Sequence, residues 1–163
     1  MEERFELLSR MIWGVHGHVQ RLKMQIAQEL HIKGVHVFLI YLLRNNPEGL
    51  TAAELGEKSC STSGLISRET AELLQSGIIT TDKESDRRRY GCKYLLTQKG
   101  REMAERISDF AMEVQNFVSG EISPEQMKAF YRIFGMLLEN FDRFAGQQAL
   151  ACIPNDKGEK AWQ

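Results

Sequence analysis

The chain has 163 residues, enough for one ordinary domain with helical extensions and for a core that needs no disulfide or metal. Apolar residues make up 42% and charged residues 26%, which excludes a disordered chain. The longest unbroken apolar run, Val37 to Leu43, is far shorter than the roughly 20 residues a membrane span needs.

The opening Met1-Glu2-Glu3-Arg4 is acidic where a signal peptide is basic. The expectation is a cytoplasmic protein without membrane association. Cys60, Cys92 and Cys152 are odd in number and far apart, so neither a disulfide framework nor a zinc ribbon is expected. The net charge of −1, taken whole, argues against a nucleic-acid binder. Its distribution argues the other way. Arg87, Arg88, Arg89, Lys93, Lys99 and Arg101 form a local basic stretch with no acidic residue among them.

In chain order, the first element spans about Glu3 to Leu30. Its apolar residues Phe5, Leu8, Ile12, Val15, Val19, Leu22 and Ile26 alternate steps of three and four, a helix with a narrow seam. Gly14 and Gly17 lie in it, placed to allow a bend or the close approach of a partner helix. A second helix, about Lys33 to Asn45, holds the apolar run and is the central core helix; Asn46-Pro47-Glu48-Gly49 ends it. Thr51 and Glu54 form a capping box that opens a short helix to about Lys58. After a small polar turn, another helix runs from Ser63 to Gln75, with Gly77 placed to cap it. Two short helices resting on a buried third make a helix-turn-helix.

The period then changes. Ile78 to Thr81 and Tyr90 to Leu96 read as two strands around a charged tip, a β-hairpin or wing. Thr97 starts a fifth helix, with Met103, Ile107, Phe110, Val114 and Phe117 along one seam. Ser123-Pro124-Glu125-Gln126 starts a sixth, with Met127, Phe130, Phe134, Leu137, Phe141 and Phe144 along another. The fold class is therefore mainly α with a small β-hairpin. The divisions are an N-terminal dimerisation helix over 1–32, a winged helix-turn-helix over 33–97, C-terminal dimerisation helices over 98–150 and a loose tail over 151–163.

This order of elements, together with Gly49-Leu50-Thr51-Ala52-Ala53-Glu54-Leu55, Ile66-Ser67-Arg68, Leu73, Gly77-Ile78-Ile79, Asp86-Arg87-Arg88 and Leu96-Thr97-Gln98-Lys99-Gly100, resembles the MarR family of bacterial transcription regulators. The motifs cover roughly Lys33 to Arg106. The sequence departs from the family pattern at Glu69 and Thr70, where apolar residues are usual, and at Ser59 and Ser61 in the turn. The resemblance implies a homodimer with its interface on the terminal helices. It implies a recognition helix in the major groove of double-stranded DNA and a wing in the adjacent minor groove. It also implies release by a small aromatic or phenolic effector, or in a subset by oxidants or metal ions. The expected function is a transcriptional regulator, a repressor released from a pseudo-palindromic operator.

A helix entering the major groove reads bases through its exposed N-terminal residues, here Thr62, Ser63, Gly64, Ser67 and Arg68. Arg68 is the best base reader, because its planar fork matches guanine; Thr62 and Ser63 are equally well explained as helix caps. Arg87, Arg88 and Arg89 at the wing tip suit the negative potential of a narrow minor groove, with Asp86 positioning Arg88 and Lys93 on a phosphate. Trp13, His36 and Tyr41 are candidate effector contacts, each equally explicable as core. Cys60, in the turn before the recognition helix, is a candidate redox sensor or a small core residue. His31 and His36 have no acidic cluster near them in sequence, so no metal site is expected. No nucleophile–base pair or phosphate loop stands out, so neither enzymatic activity nor a cofactor is expected. Two other readings stay open: a winged helix that binds protein instead of DNA, and a small enzyme with a cleft at its dimer interface.

Overall fold

The computed structural model describes residues 2–82 and 91–145. The elements run α1 (Glu2–Glu29), α2 (Gly34–Arg44), β1 (Leu50–Thr51), α3 (Ala52–Ser59), α4 (Ser63–Gln75), β2 (Ile79–Thr81), β3 (Lys93–Leu96), α5 (Gln98–Ser119) and α6 (Pro124–Ala145). The hairpin expected from the change of period is present. β2 pairs antiparallel with β3 in the register Ile79 to Leu96 and Thr81 to Tyr94. Leu50–Thr51 adds a third strand on the other side of β3, pairing Leu50 with Tyr94, in the order β1-β3-β2. That strand was not legible in the sequence, since two residues carry no period.

The helix starts follow local chemistry. Thr51 accepts a hydrogen bond from the Glu54 backbone N–H, and the Glu54 carboxylate accepts from the Thr51 backbone N–H at 2.7 Å, closing the capping box. Thr97 caps α5 by accepting from the Gly100 N–H at 3.1 Å, and its hydroxyl donates to the Gly77 carbonyl at 2.7 Å. That hydroxyl thus ties α5 to the end of the helix-turn-helix. Ser123 and Gln126 exchange the same reciprocal pair of bonds at the start of α6.

The core gathers around α2. Val37, Leu39, Ile40 and Leu43 are buried there with Ile26 and Ala27 of α1, Leu55 of α3, Ile66 and Leu73 of α4, Ile78, Ile79 and Tyr94 of the sheet region, and Ala104 and Ile107 of α5. The seams of α1 and α6 are only partly used. Phe5, Ile12, Val15 and Val19 of α1, and Phe130, Phe141 and Phe144 of α6, are exposed within one chain. Among the described residues, no single helix is long and apolar enough to cross a membrane.

Gly100 is fixed by close approach. A Cβ there would lie 2.1 Å from the Ile78 carbonyl oxygen, where the first turn of α5 rests on the strand region. Gly64, in the first turn of α4, would meet nothing within 4 Å. Gly100→Ala is therefore expected to lower the denaturant midpoint although alanine is the better helix former. Gly64→Ala is expected to be neutral or to stabilise by at most about 1 kcal/mol. Equal midpoint shifts for the two variants would contradict this packing.

Candidate nucleic-acid interface and the polar cluster behind it

Helix α4 divides into two faces. Ile66, Glu69, Thr70 and Leu73 are buried against the body, whereas Thr62, Ser63, Gly64, Ser67 and Arg68 are exposed. The two polar departures, Glu69 and Thr70, thus sit in the inward positions where apolar residues are expected. The Thr70 hydroxyl is satisfied by donating to the Ile66 carbonyl at 2.7 Å, the usual back-bond of a buried threonine in a helix. Thr62 caps α4, accepting from the Leu65 N–H at 3.4 Å, so capping is a role it fills whatever else it touches.

Glu69 is 2% exposed and binds in three directions. Its Oε1 accepts from Arg68 Nε at 2.8 Å. Its Oε2 lies 3.0 Å from His36 Nε2 and 3.4 Å from Lys33 Nζ. Burial pulls the Glu69 carboxyl upward, but the hydrogen bonds from Arg68 and Lys33 outweigh it and hold the group below the usual carboxylate range. His36 is pushed below its ordinary value by burial, which exceeds the opposing hydrogen bond and charge of Glu69, so the imidazole is neutral at pH 7. One turn on, Glu72 is half-buried and accepts from Lys33 Nζ at 2.6 Å, with its Oε2 3.9 Å from His36 Nε2. Lys33, held by Glu72 first, is raised above the ordinary lysine value.

This cluster corrects the expectation that His36 has no acidic neighbours. One donor atom each of His36, Glu69 and Glu72 lie within 4.8 Å of one another, a grouping that can hold a metal ion. The signal was hidden because the imidazole and the two carboxylates come from different helices, with Glu69 33 residues after His36. The cluster borders a cleft of about 410 Å³ lined also by Leu30, His31, Lys99 and Met103.

The remaining sequence candidates are distributed as follows. The wing tip, with Asp86, Arg87, Arg88 and Arg89, lies outside the described residues. Below it, the Asp82 N–H donates to the Lys93 carbonyl at 3.0 Å, and the Lys93 N–H donates to Asp82 Oδ1 at 2.9 Å, closing the hairpin's base. Lys99 donates to the Ser76 carbonyl and Arg101 to the Leu96 carbonyl, so these two members of the basic stretch fasten α5 to the winged domain.

Trp13, His36 and Tyr41 do not converge within one chain. Trp13 is 75% exposed on α1, and His36 lines the cleft of mixed chemistry beside Glu72. Tyr41 lines a separate apolar groove of about 280 Å³ with Val19, Phe38, Ile107 and Phe110. Cys60 is the left-handed C-cap of α3, with φ of +52°, is exposed, and is disulfide-bonded. It is therefore not a small core thiol.

Three antiparallel strands beside a helix-turn-helix define a winged helix fold. Its relatives among solved structures narrow the class. The chain is similar to a MarR transcriptional regulator from Methanosarcina mazei Go1, at 15% identity and a TM-score of 0.69, over 85% of this chain and 99% of that one. It is similar to S. aureus MepR solved as a DNA complex, at 16% identity and 0.70, over 82% and 96% of the two chains. It is similar to the oxidised form of MarR from E. coli, at 17% identity and 0.61, over 80% and 93%. No family model matches the sequence, and no curated protein matches it. The fold is that of the MarR regulators, as the sequence motifs suggested.

The capping box carries a pH signature. Hydrogen bonds from the Thr51 backbone and hydroxyl hold the Glu54 carboxyl below its ordinary value. A depressed carboxyl contributes stability that is complete above its unfolded value and drains away as pH falls through the lower folded value. Glu54→Gln is expected to flatten the acid limb of a stability-against-pH curve measured by denaturant unfolding. An unchanged acid limb would argue against this role.

Proposed function

We propose that the chain is a homodimeric, sequence-specific regulator of transcription that binds double-stranded DNA and performs no catalysis. The observation that carries this reading is the outer face of α4. Serine hydroxyls, a glycine and the Arg68 guanidinium stand exposed there on a helix whose opposite face is buried. Arg68 is fastened to Glu69 through Nε; among the described residues its terminal nitrogens make no hydrogen bond, leaving them for a base edge. The relative solved with DNA bound supports the reading through its shared fold.

The exposed apolar seams supply the second half. An apolar face on α1 and another on α6 are what a second copy would cover, and pairing gives the two-fold symmetry a pseudo-palindromic operator requires. In this reading, 1–32 and 98–150 form the dimerisation region and 33–97 the DNA-binding domain. The wing arginines Arg87, Arg88 and Arg89 enter the minor groove, with Asp86 positioning Arg88, and Lys93 meets phosphate. The protein is a repressor that a small aromatic or phenolic effector releases, and it works in the cytoplasm. Trp13, His36 and Tyr41 are the effector contacts this reading retains, drawn from two cavities and an exposed helix.

Fragments selected from genomic DNA supply the operator for the test. With about eight phosphates neutralised per dimer, log affinity should fall against log salt with a slope of about −7. Arg68→Ala is expected to cost about 1–3 kcal/mol of operator affinity, lost mainly as discrimination at one base pair. Arg88→Ala is expected to weaken binding severely and leave the dimer intact. A winged helix that binds protein instead would show salt-insensitive, negligible duplex binding in the same titration.

Phe130→Asp together with Phe141→Asp should convert the dimer to a monomer in sedimentation while the winged domain keeps its helix content. Dimers persisting in that double variant would place the interface elsewhere.

A further inference from the structure

We infer that His36, Glu69 and Glu72 form a binding site for one divalent transition-metal ion per chain. The donor set is one imidazole nitrogen and two carboxylates, offered by α2 and α4. A tetrahedral ion with bonds of about 2.0–2.2 Å needs donor atoms roughly 3.3 Å apart. The separations from His36 Nε2, 3.0 Å to Glu69 Oε2 and 3.9 Å to Glu72 Oε2, bracket that value. The three donor atoms all lie within 4.8 Å of one another.

The site is also arranged around the ion's coordination. Arg68 holds Glu69 by Oε1, which turns Oε2 toward His36. An outer partner that orients a ligating carboxylate in this way is a common feature of metal sites. The adjoining cleft, about 410 Å³, leaves room for water to complete the coordination sphere.

Lys33 marks where a cation sits. Its ammonium is 3.4 Å from Glu69 and 2.5 Å from Glu72, and its side chain is 51% exposed. It can swing into solvent, so an incoming divalent ion replaces a mobile single charge between two carboxylates. A neutral imidazole with carboxylates selects ions such as Zn²⁺, Co²⁺ or Ni²⁺ over Mg²⁺ and Ca²⁺, which favour oxygen-only shells.

An ion at this position would clamp the inner face of α4 to α2. The consequence for DNA rests on the proposed function, in which α4 enters the groove; the site itself does not. Any ion that fixes the DNA-competent pose raises DNA affinity, and by linkage DNA raises ion affinity by the same factor.

The test is a Co²⁺ titration of the full-length protein without DNA, followed by its visible d–d absorption and competed with Zn²⁺. One ion per chain is expected, undisturbed by millimolar Mg²⁺. Glu72→Gln, at a half-buried position, should weaken binding by at least about a hundredfold, and His36→Gln should abolish the spectrum. Lys33→Gln should tighten binding several-fold, because it removes the competing ammonium. That increase separates a metal site from a purely structural ion-pair cluster, in which Lys33→Gln would only lower stability. His16→Gln with His18→Gln should leave the titration unchanged. Circular dichroism identifies any unfolded variant; if His36→Gln is one, Glu72→Gln and Lys33→Gln decide the matter. Absence of stoichiometric binding in both the parent and Lys33→Gln, or binding that Glu72→Gln leaves unaltered, overturns the site. Ion binding that leaves duplex affinity unchanged overturns only the coupling, and failure of all duplex binding overturns the proposed function and leaves the site standing.

Discussion

A buried carboxylate on α4, the helix whose opposite face is exposed, constrains this molecule most. Glu69 lies between Ile66 and Leu73 on the inner face of α4, where a hydrocarbon side chain would pack without electrostatic cost. Left unpaired there, an ionised carboxylate costs about 3–5 kcal/mol. It is tolerated because Arg68, His36 and Lys33 reach it from three sides. Replacing such a cluster with well-packed apolar groups is often neutral or stabilising. The cluster's consequence is therefore positional: the azimuth of α4 is tied to α2 by directional bonds, which a slippery apolar contact would not provide. One member, Arg68, stands on the outer face, so the inner cluster and the outer surface share a residue.

The molecule separates its polar and apolar surfaces along the chain. The outer face of α4 and the base of the hairpin are polar, while the first half of α1 and most of α6 expose aromatic and aliphatic side chains. Contiguous apolar area of that kind lowers its free energy when covered. Helix α6 packs little against the rest of its own chain, so its stripe of phenylalanines is not spent on the intrachain core. The two ends are joined by α5, which Thr97, Lys99 and Arg101 fasten to the carbonyls of Gly77, Ser76 and Leu96. The start of α5 is thus tied to the end of α4 by hydrogen bonds as well as packing.

Among the cavities that flank α2 are two of different chemistry. One is mixed, lined by His31, Lys33, His36 and Glu72 together with Leu30, Ile32 and Met103, and the other is apolar, lined by Val19, Phe38, Tyr41 and Phe110. Each touches α2 and a helix on one side of it.

The sequence alone carried most of the architecture. Steps of three and four located α1, α5 and α6; Thr51 with Glu54, Thr97, and Ser123 with Gln126 located helix starts, because capping is a contact between residues three apart. The span of α4, Ser63–Gln75, and its exposed face were readable for the same reason. What stayed hidden depended on contacts distant in sequence. The strand Leu50–Thr51 exists only because Tyr94 and Lys93 lie beside it. The cluster of His36, Glu69 and Glu72 exists only because α4 packs across α2. Local patterns report forces that act within one turn of helix or one pair of strands. Electrostatic and coordination chemistry acts through space, so only the folded chain decides which charges meet.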